Sequence, residues 1–77
     1  MAELPLGLYE HYKGNPYEVT GIAIHTETME KLVVYKSLYE SNYPYGSTWV
    51  RPLSMFVEKV EINGELIPRF KYVGSGG

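Results

Sequence analysis

The sequence predicts a mainly β domain, a small and strongly bent antiparallel sheet of five or six short strands with one short helical turn. Three observations predict it. The Val/Ile/Tyr-rich runs Tyr17 to His25 and Leu32 to Tyr39 flank the polar break His25-Thr26-Glu27-Thr28, the pattern of a β-hairpin. Asn63-Gly64 is a two-residue hairpin turn of the type that needs positive φ. Turn residues recur at close spacing along the chain, so no stretch is left for a long helix.

The first strand is expected over Gly7 to Lys13, where Leu8, Glu10 and Tyr12 alternate with Tyr9, His11 and Lys13. Gly14-Asn15-Pro16 ends it, because Gly and Asn tolerate left-handed turn geometry and the proline disfavours a helical Asn15. The second strand runs from Tyr17 to about His25, with Val19, Gly21 and Ala23 expected on one face and Thr20, Ile22 and Ile24 on the other. Both faces are apolar in the middle, and Gly21 is a candidate bulge where the sheet folds over itself. The third strand, Leu32 to Tyr39, sets Val33, Tyr35 and Tyr39 against Leu32, Val34 and Leu38. Leu32, Tyr35 and Tyr39 also fit helical spacing, but the β-branched pair and the short length favour a strand.

Glu40 to Thr48 is the longest turn-rich segment. Trp49-Val50-Arg51 follows as a short strand ended by Pro52, which can open one helical turn through Phe56. An extended pattern resumes from Phe56 to Ile62 and, after Asn63-Gly64, from Leu66 to Val73, where Pro68 points to an edge strand. These elements suit a small SH3-like barrel, an analogy at the level of fold. The domain is expected to span residues 1–73, with 74–77 as a flexible Gly/Ser tail, and a ubiquitin-like reading of the terminal Gly-Gly is disfavoured by the lack of a helix that such a fold requires.

At 77 residues there is room for one domain, which buries only about 60% of its unfolded surface. A large enclosed active site does not fit that size. Hydrophobic residues form 44% of the chain and eight tyrosines dominate its aromatics, enough for an ordered core. Cysteine is absent, which excludes disulfides and thiolate metal sites and lets a reducing compartment fit as well as any other. The opening MAELPLG carries an acid where a secretory signal has bases and leads into no apolar run, so the expected location is the cytoplasm, without a membrane partner. A net charge of −2 without blocks removes the main argument for nonspecific nucleic-acid or membrane binding.

The segments His11 to Asn15, Tyr17-Glu18-Val19, Ala23-Ile24-His25 with Glu27-Thr28, Val33-Val34-Tyr35 with Leu38-Tyr39, Trp49 to Pro52 with Met55-Phe56, and Pro68-Arg69-Phe70 resemble the bacterial family known as domain of unknown function 1653. The likeness covers Gly7 to Phe70. It implies a compact stand-alone bacterial domain and brings no activity with it.

His11, His25 and Glu27 are the only residues suited to acid–base chemistry or a metal site. Their spacing matches no metal motif, and no serine elbow or phosphate-cradling glycine loop is present. No cofactor and no metal are therefore expected. The plainer expectation is that His25 begins its turn and bonds Thr26 or Thr28, while His11 packs against a tyrosine.

Arg51 and Arg69 carry more. Each adjoins a proline and lies near an aromatic, Trp49 and Phe70, so stiff backbone can present guanidinium groups beside ring faces. Tyr12, Tyr35 and Tyr39 extend that candidate ligand-binding set, with Tyr9, Tyr43 and Tyr45 as further contributors. The competing expectation is that Trp49 and Phe70 fill the core while the arginines pair with Glu27, Glu58 or Glu61. The leading functional expectation is a non-catalytic binding module for a peptide on a partner protein, acidic or proline-containing, or for another anionic ligand. Rival expectations are single-stranded nucleic-acid binding, a small acid–base enzyme using His11, His25 and Glu27, and a homodimer paired through strand one or the Pro68 strand.

Overall fold

The computed structural model describes residues 4–74. Seven strands and one helical turn follow in the order β1 (Gly7–His11), β2 (Pro16–Ile24), β3 (Lys31–Ser37), β4 (Thr48–Pro52), α1 (Leu53–Phe56), β5 (Lys59–Ile62), β6 (Glu65–Pro68) and β7 (Phe70–Gly74). Five of them form an antiparallel sheet in the order β4-β3-β2-β1-β7, and β5 and β6 form a separate hairpin. The sheet is open, with β4 and β7 as its two ends.

The local turn chemistry acts where it is expected. Asn63 and Gly64 take φ values of 51° and 83°, the mirror-image turn that matches strand twist. At the first turn Gly14, with φ 99°, donates its N–H to the His11 carbonyl at 2.7 Å. Pro52 precedes α1 as its cap and does not occupy the first helical position.

The register of β2 against β3 shifts between Val19 and Gly21, so Thr20 is an extra residue. This corrects the expected faces of β2. Val19 pairs with Tyr35 and Ile22 with Val33, which puts both on the core side, while Gly21 and Ala23 pair with Val34 and Leu32 and face away. A second register shift follows Leu8 in the neighbouring β1–β7 ladder, and the two irregularities lie side by side because Gly7 pairs with Val19.

The final stretch is two strands and not one. Arg69 interrupts it: its N–H donates to Glu58 O at 3.0 Å, and its carbonyl accepts from Tyr12 N–H at 2.9 Å. β6 stays with β5, and β7 crosses to pair with β1. Strand one is therefore an inner strand flanked by β2 and β7, and it has no open edge for a second copy. Gly74, expected in the tail, closes β7 opposite Leu8, and 75–77 lie outside the described residues.

One face of the sheet, closed over by α1, holds the core of Tyr9, Val19, Val33, Tyr35, Phe56 and Phe70. Val33 is fully buried, and Phe56 reaches it from the helical turn. Tyr9 is core and not ligand-facing surface, because its hydroxyl donates to the Pro5 carbonyl at 2.6 Å and so is satisfied away from water. Burial, with the Tyr72 hydroxyl nearby, pushes the Tyr9 phenol up to about 12.

Candidate functional site

At the β4 end of the core face, the register sets Tyr35 opposite Trp49 and Val33 opposite Arg51. Trp49 and Arg51, two residues apart, share one face of β4. Tyr17 lies on the same side through its pairing with Ser37, and the chain leaving β3 brings Tyr39, Ser41 and Tyr43 over it. These residues surround a hollow of about 290 Å³.

Hydrogen bonds and ring contacts hold its walls. The Trp49 indole N–H donates to the buried Ser37 hydroxyl at 3.4 Å, and Tyr43 meets Trp49 edge-on with ring centroids 4.9 Å apart. The hydroxyls of Tyr17 and Tyr39 bond to each other at 2.5 Å. Burial first, then the Tyr39 hydrogen bond, raises the Tyr17 phenol well above its ordinary value. Arg51 forms the charged wall. Its Nε donates to the Tyr35 hydroxyl at 3.4 Å and its guanidinium lies 5.5 Å from the Phe70 ring centre. No carboxylate among the described residues pairs with it.

Four of the six sequence-predicted residues, Tyr35, Tyr39, Trp49 and Arg51, thus meet at one hollow. Within that set Tyr35 is a core residue, only 6% exposed, because it sits mid-sheet opposite Val19 and Trp49; its hydroxyl alone serves the site, by holding Arg51. The other two lie elsewhere. Arg69 Nη2 is tied to Glu58 Oε1 at 3.2 Å, one of the pairings the sequence suggested. Tyr12 packs on His11, ring centroids 4.5 Å apart, beside a larger hollow of about 430 Å³ between the β1 turn and Pro68. That hollow carries both Glu10 and Lys71, directly opposite each other across β1 and β7, so its charges offset locally. The smaller hollow is the better candidate, since its one cation has no such counter-charge. Tyr17 belongs to it although sequence reasoning passed over that residue; period-two spacing from buried Val19 would have placed it on the same face.

The acid–base candidates do not converge. His25 follows the last residue of β2, where its Nδ1 accepts from the N–H groups of Glu27 at 3.1 Å and Thr28 at 3.3 Å. His11 sits near the opposite end of that strand, among the rings of Tyr12, Tyr17 and Phe70. Burial lowers its pKa, and the charges of Arg69, Arg51 and Lys13 lower it further. Its Nδ1 accepts from Lys13 N–H at 3.2 Å, so the neutral ring is the form this cluster holds. Among the described residues no three His, Asp or Glu side chains gather as metal ligands, and no helix is long and apolar enough to cross a membrane.

A crystallised DUF1653 protein from Bordetella bronchiseptica is similar to this chain, with 37% identity and a TM-score of 0.83 over 97% of this chain and 94% of that one. No curated protein matches. The sequence profile of the family described as "Protein of unknown function (DUF1653)" matches residues 7–72, which spans β1 to the middle of β7 and includes every residue of the hollow, and the chain belongs to that family.

Proposed function

We propose that the chain is a non-catalytic binding module that takes an acidic, proline-containing peptide in the hollow bordered by Tyr39, Tyr43, Trp49 and Arg51. One observation carries this reading: Arg51 is a half-buried cation, oriented by Tyr35 and Phe70, with no carboxylate partner among the described residues. A planar guanidinium prepared in this way suits a carboxylate through paired, charge-assisted hydrogen bonds. The surrounding tyrosines and tryptophan supply rigid contact area for a proline ring. A peptide is favoured over single-stranded nucleic acid because the hollow presents a single cation, Arg51, on a chain whose net charge of −2 is spread without basic blocks. An SH3-like barrel is the architecture that suits this role, since aromatic grooves on small barrels take extended peptides. A cytoplasmic setting agrees with the absence of cysteine.

Titration of the labelled protein with a blocked peptide containing glutamate and proline tests the reading. Arg51→Gln is expected to weaken binding by about tenfold or more while the amide spectrum away from β4 stays unchanged. Equal affinity for the variant and the parent would remove Arg51 from the site.

A further inference from the structure

Resting on that reading, we infer that the peptide binds by strand addition, as a sixth strand paired antiparallel to β4. β4 is one end of the five-stranded sheet. Ser37 N–H donates to Ser47 O at 3.1 Å and Gly46 N–H donates to Ser37 O at 2.8 Å, so the peptide groups of Ser37 turn toward the β4 side. Leu38 N–H instead donates to Pro16 O at 3.1 Å, toward β2. Alternation along β3 then turns Tyr35 and Val33 toward their partners Trp49 and Arg51. The peptide groups of Thr48 and Val50 consequently point away from β3, to the side of β4 that no other strand of the sheet covers.

Backbone and side chains on β4 therefore divide the work. Thr48 and Val50 offer unpaired donors and acceptors along the edge, while Trp49 and Arg51 face the hollow. Val50 is 59% exposed and β4 carries no lysine; its one proline, Pro52, ends the strand and leaves the N–H groups of Thr48 and Val50 in place. The opposite edge lacks this combination: β7 turns Phe70 into the core and carries Lys71.

The register defines a motif. An added residue opposite Val50 exchanges two backbone bonds with it and needs an N–H. Its neighbours, opposite Arg51 and Trp49, project over the hollow, and their own N–H groups face away. In antiparallel order the motif reads acidic residue opposite Arg51, any N–H-bearing residue opposite Val50, proline opposite Trp49. Proline, whose nitrogen donates nothing, is excluded opposite Val50 and fits either outer position without losing a ladder bond; with the acidic residue opposite Arg51 it falls opposite Trp49.

The test uses the whole chain, isotopically labelled, and the acetylated, amidated peptide serine-glutamate-valine-proline-threonine in three forms: unmodified, N-methylated at valine, and N-methylated at glutamate. Strand addition predicts that the unmodified peptide slows hydrogen exchange of the Thr48 and Val50 amides. It also predicts that methylation at valine weakens binding about tenfold or more, whereas methylation at glutamate leaves it nearly unchanged. Equal affinity for both methylated peptides, with Thr48 and Val50 amides unprotected and Arg51→Gln still impaired, would overturn strand addition and leave the acidic-peptide reading standing. No spectral change at millimolar peptide would overturn both. Protection of the Thr48 and Val50 amides in the free protein, rising with its concentration, would assign the edge to a second copy of this chain and overturn the proposal as well.

Discussion

The guanidinium of Arg51, on β4, lies 5.5 Å from the ring centre of Phe70, on β7, so residues at the two ends of the sheet meet over its core face. Phe70 also stacks on Phe56, with centroids 4.1 Å apart and planes within 2° of parallel. One ring therefore joins the helical turn, the last strand and the candidate ligand-binding cation.

Phe70→Leu keeps an apolar side chain but removes the contacts of the ring with Phe56 and Arg51, along with its edge contacts with His11, Tyr17 and Tyr35. It is expected to cost about 2 kcal/mol of stability through imperfect packing and the lost aromatic pairing. Chemical denaturation measures this, and an unchanged midpoint would show that the ring stack contributes nothing beyond its volume. Peptide affinity should fall as well, because Arg51 loses one of its two positioning contacts.

His11 gives the fold a dependence on acid. Its folded pKa lies below the ordinary histidine value, so the unfolded chain binds its proton first as pH falls. Stability should therefore decline from about pH 6.5 downward and level off once pH passes below the folded value. His11→Gln is expected to flatten that part of the profile relative to the parent, with carboxylate titration common to both. Parallel profiles between neutral pH and pH 5 would contradict the assignment.

Arg69 is expected to be replaceable. Its ion pair with Glu58 is partly exposed, and its buried Nε has no hydrogen-bond partner, so Arg69→Met trades a weak pair for relief of an unmet donor. Stability should change by less than about 1 kcal/mol and peptide affinity should hold. Removing this charge should also raise the His11 pKa, readable from its ring proton shifts, since Arg69 is one of the cations that lower it.

Met29 holds a φ of 63° in the β2–β3 turn, a conformation that an unbranched non-glycine residue adopts at a cost. Its side chain is largely exposed, so little packing is at stake. Met29→Asn is expected to raise stability by about 0.5–1 kcal/mol, because asparagine tolerates the left-handed region better. A lower thermal midpoint would show that the methionine side chain contributes contacts that outweigh the strain.

The sequence by itself determined the features governed by local dihedral chemistry: the reversals at Gly14-Asn15-Pro16 and Asn63-Gly64, the helical turn after Pro52, and the extended Val/Ile/Tyr runs between them. It also brought Trp49 and Arg51 to one face, since residues two apart in a strand must share a side. Tertiary structure decided what depends on pairing between distant segments. The extra residue at Thr20 reversed the faces of Gly21 and Ile22, because a bulge is defined by the partner strand's register and not by either sequence alone. The break at Arg69 arose from bonds to Glu58 and Tyr12, and it sent β7 across to β1. The choice between two similar arginines was tertiary too: Glu58 lies within reach of Arg69, whereas Arg51 is surrounded by rings. Eight tyrosines have nearly the same local preferences, so only the closed core separates buried Tyr9 and Tyr35 from Tyr39 and Tyr43 at the hollow.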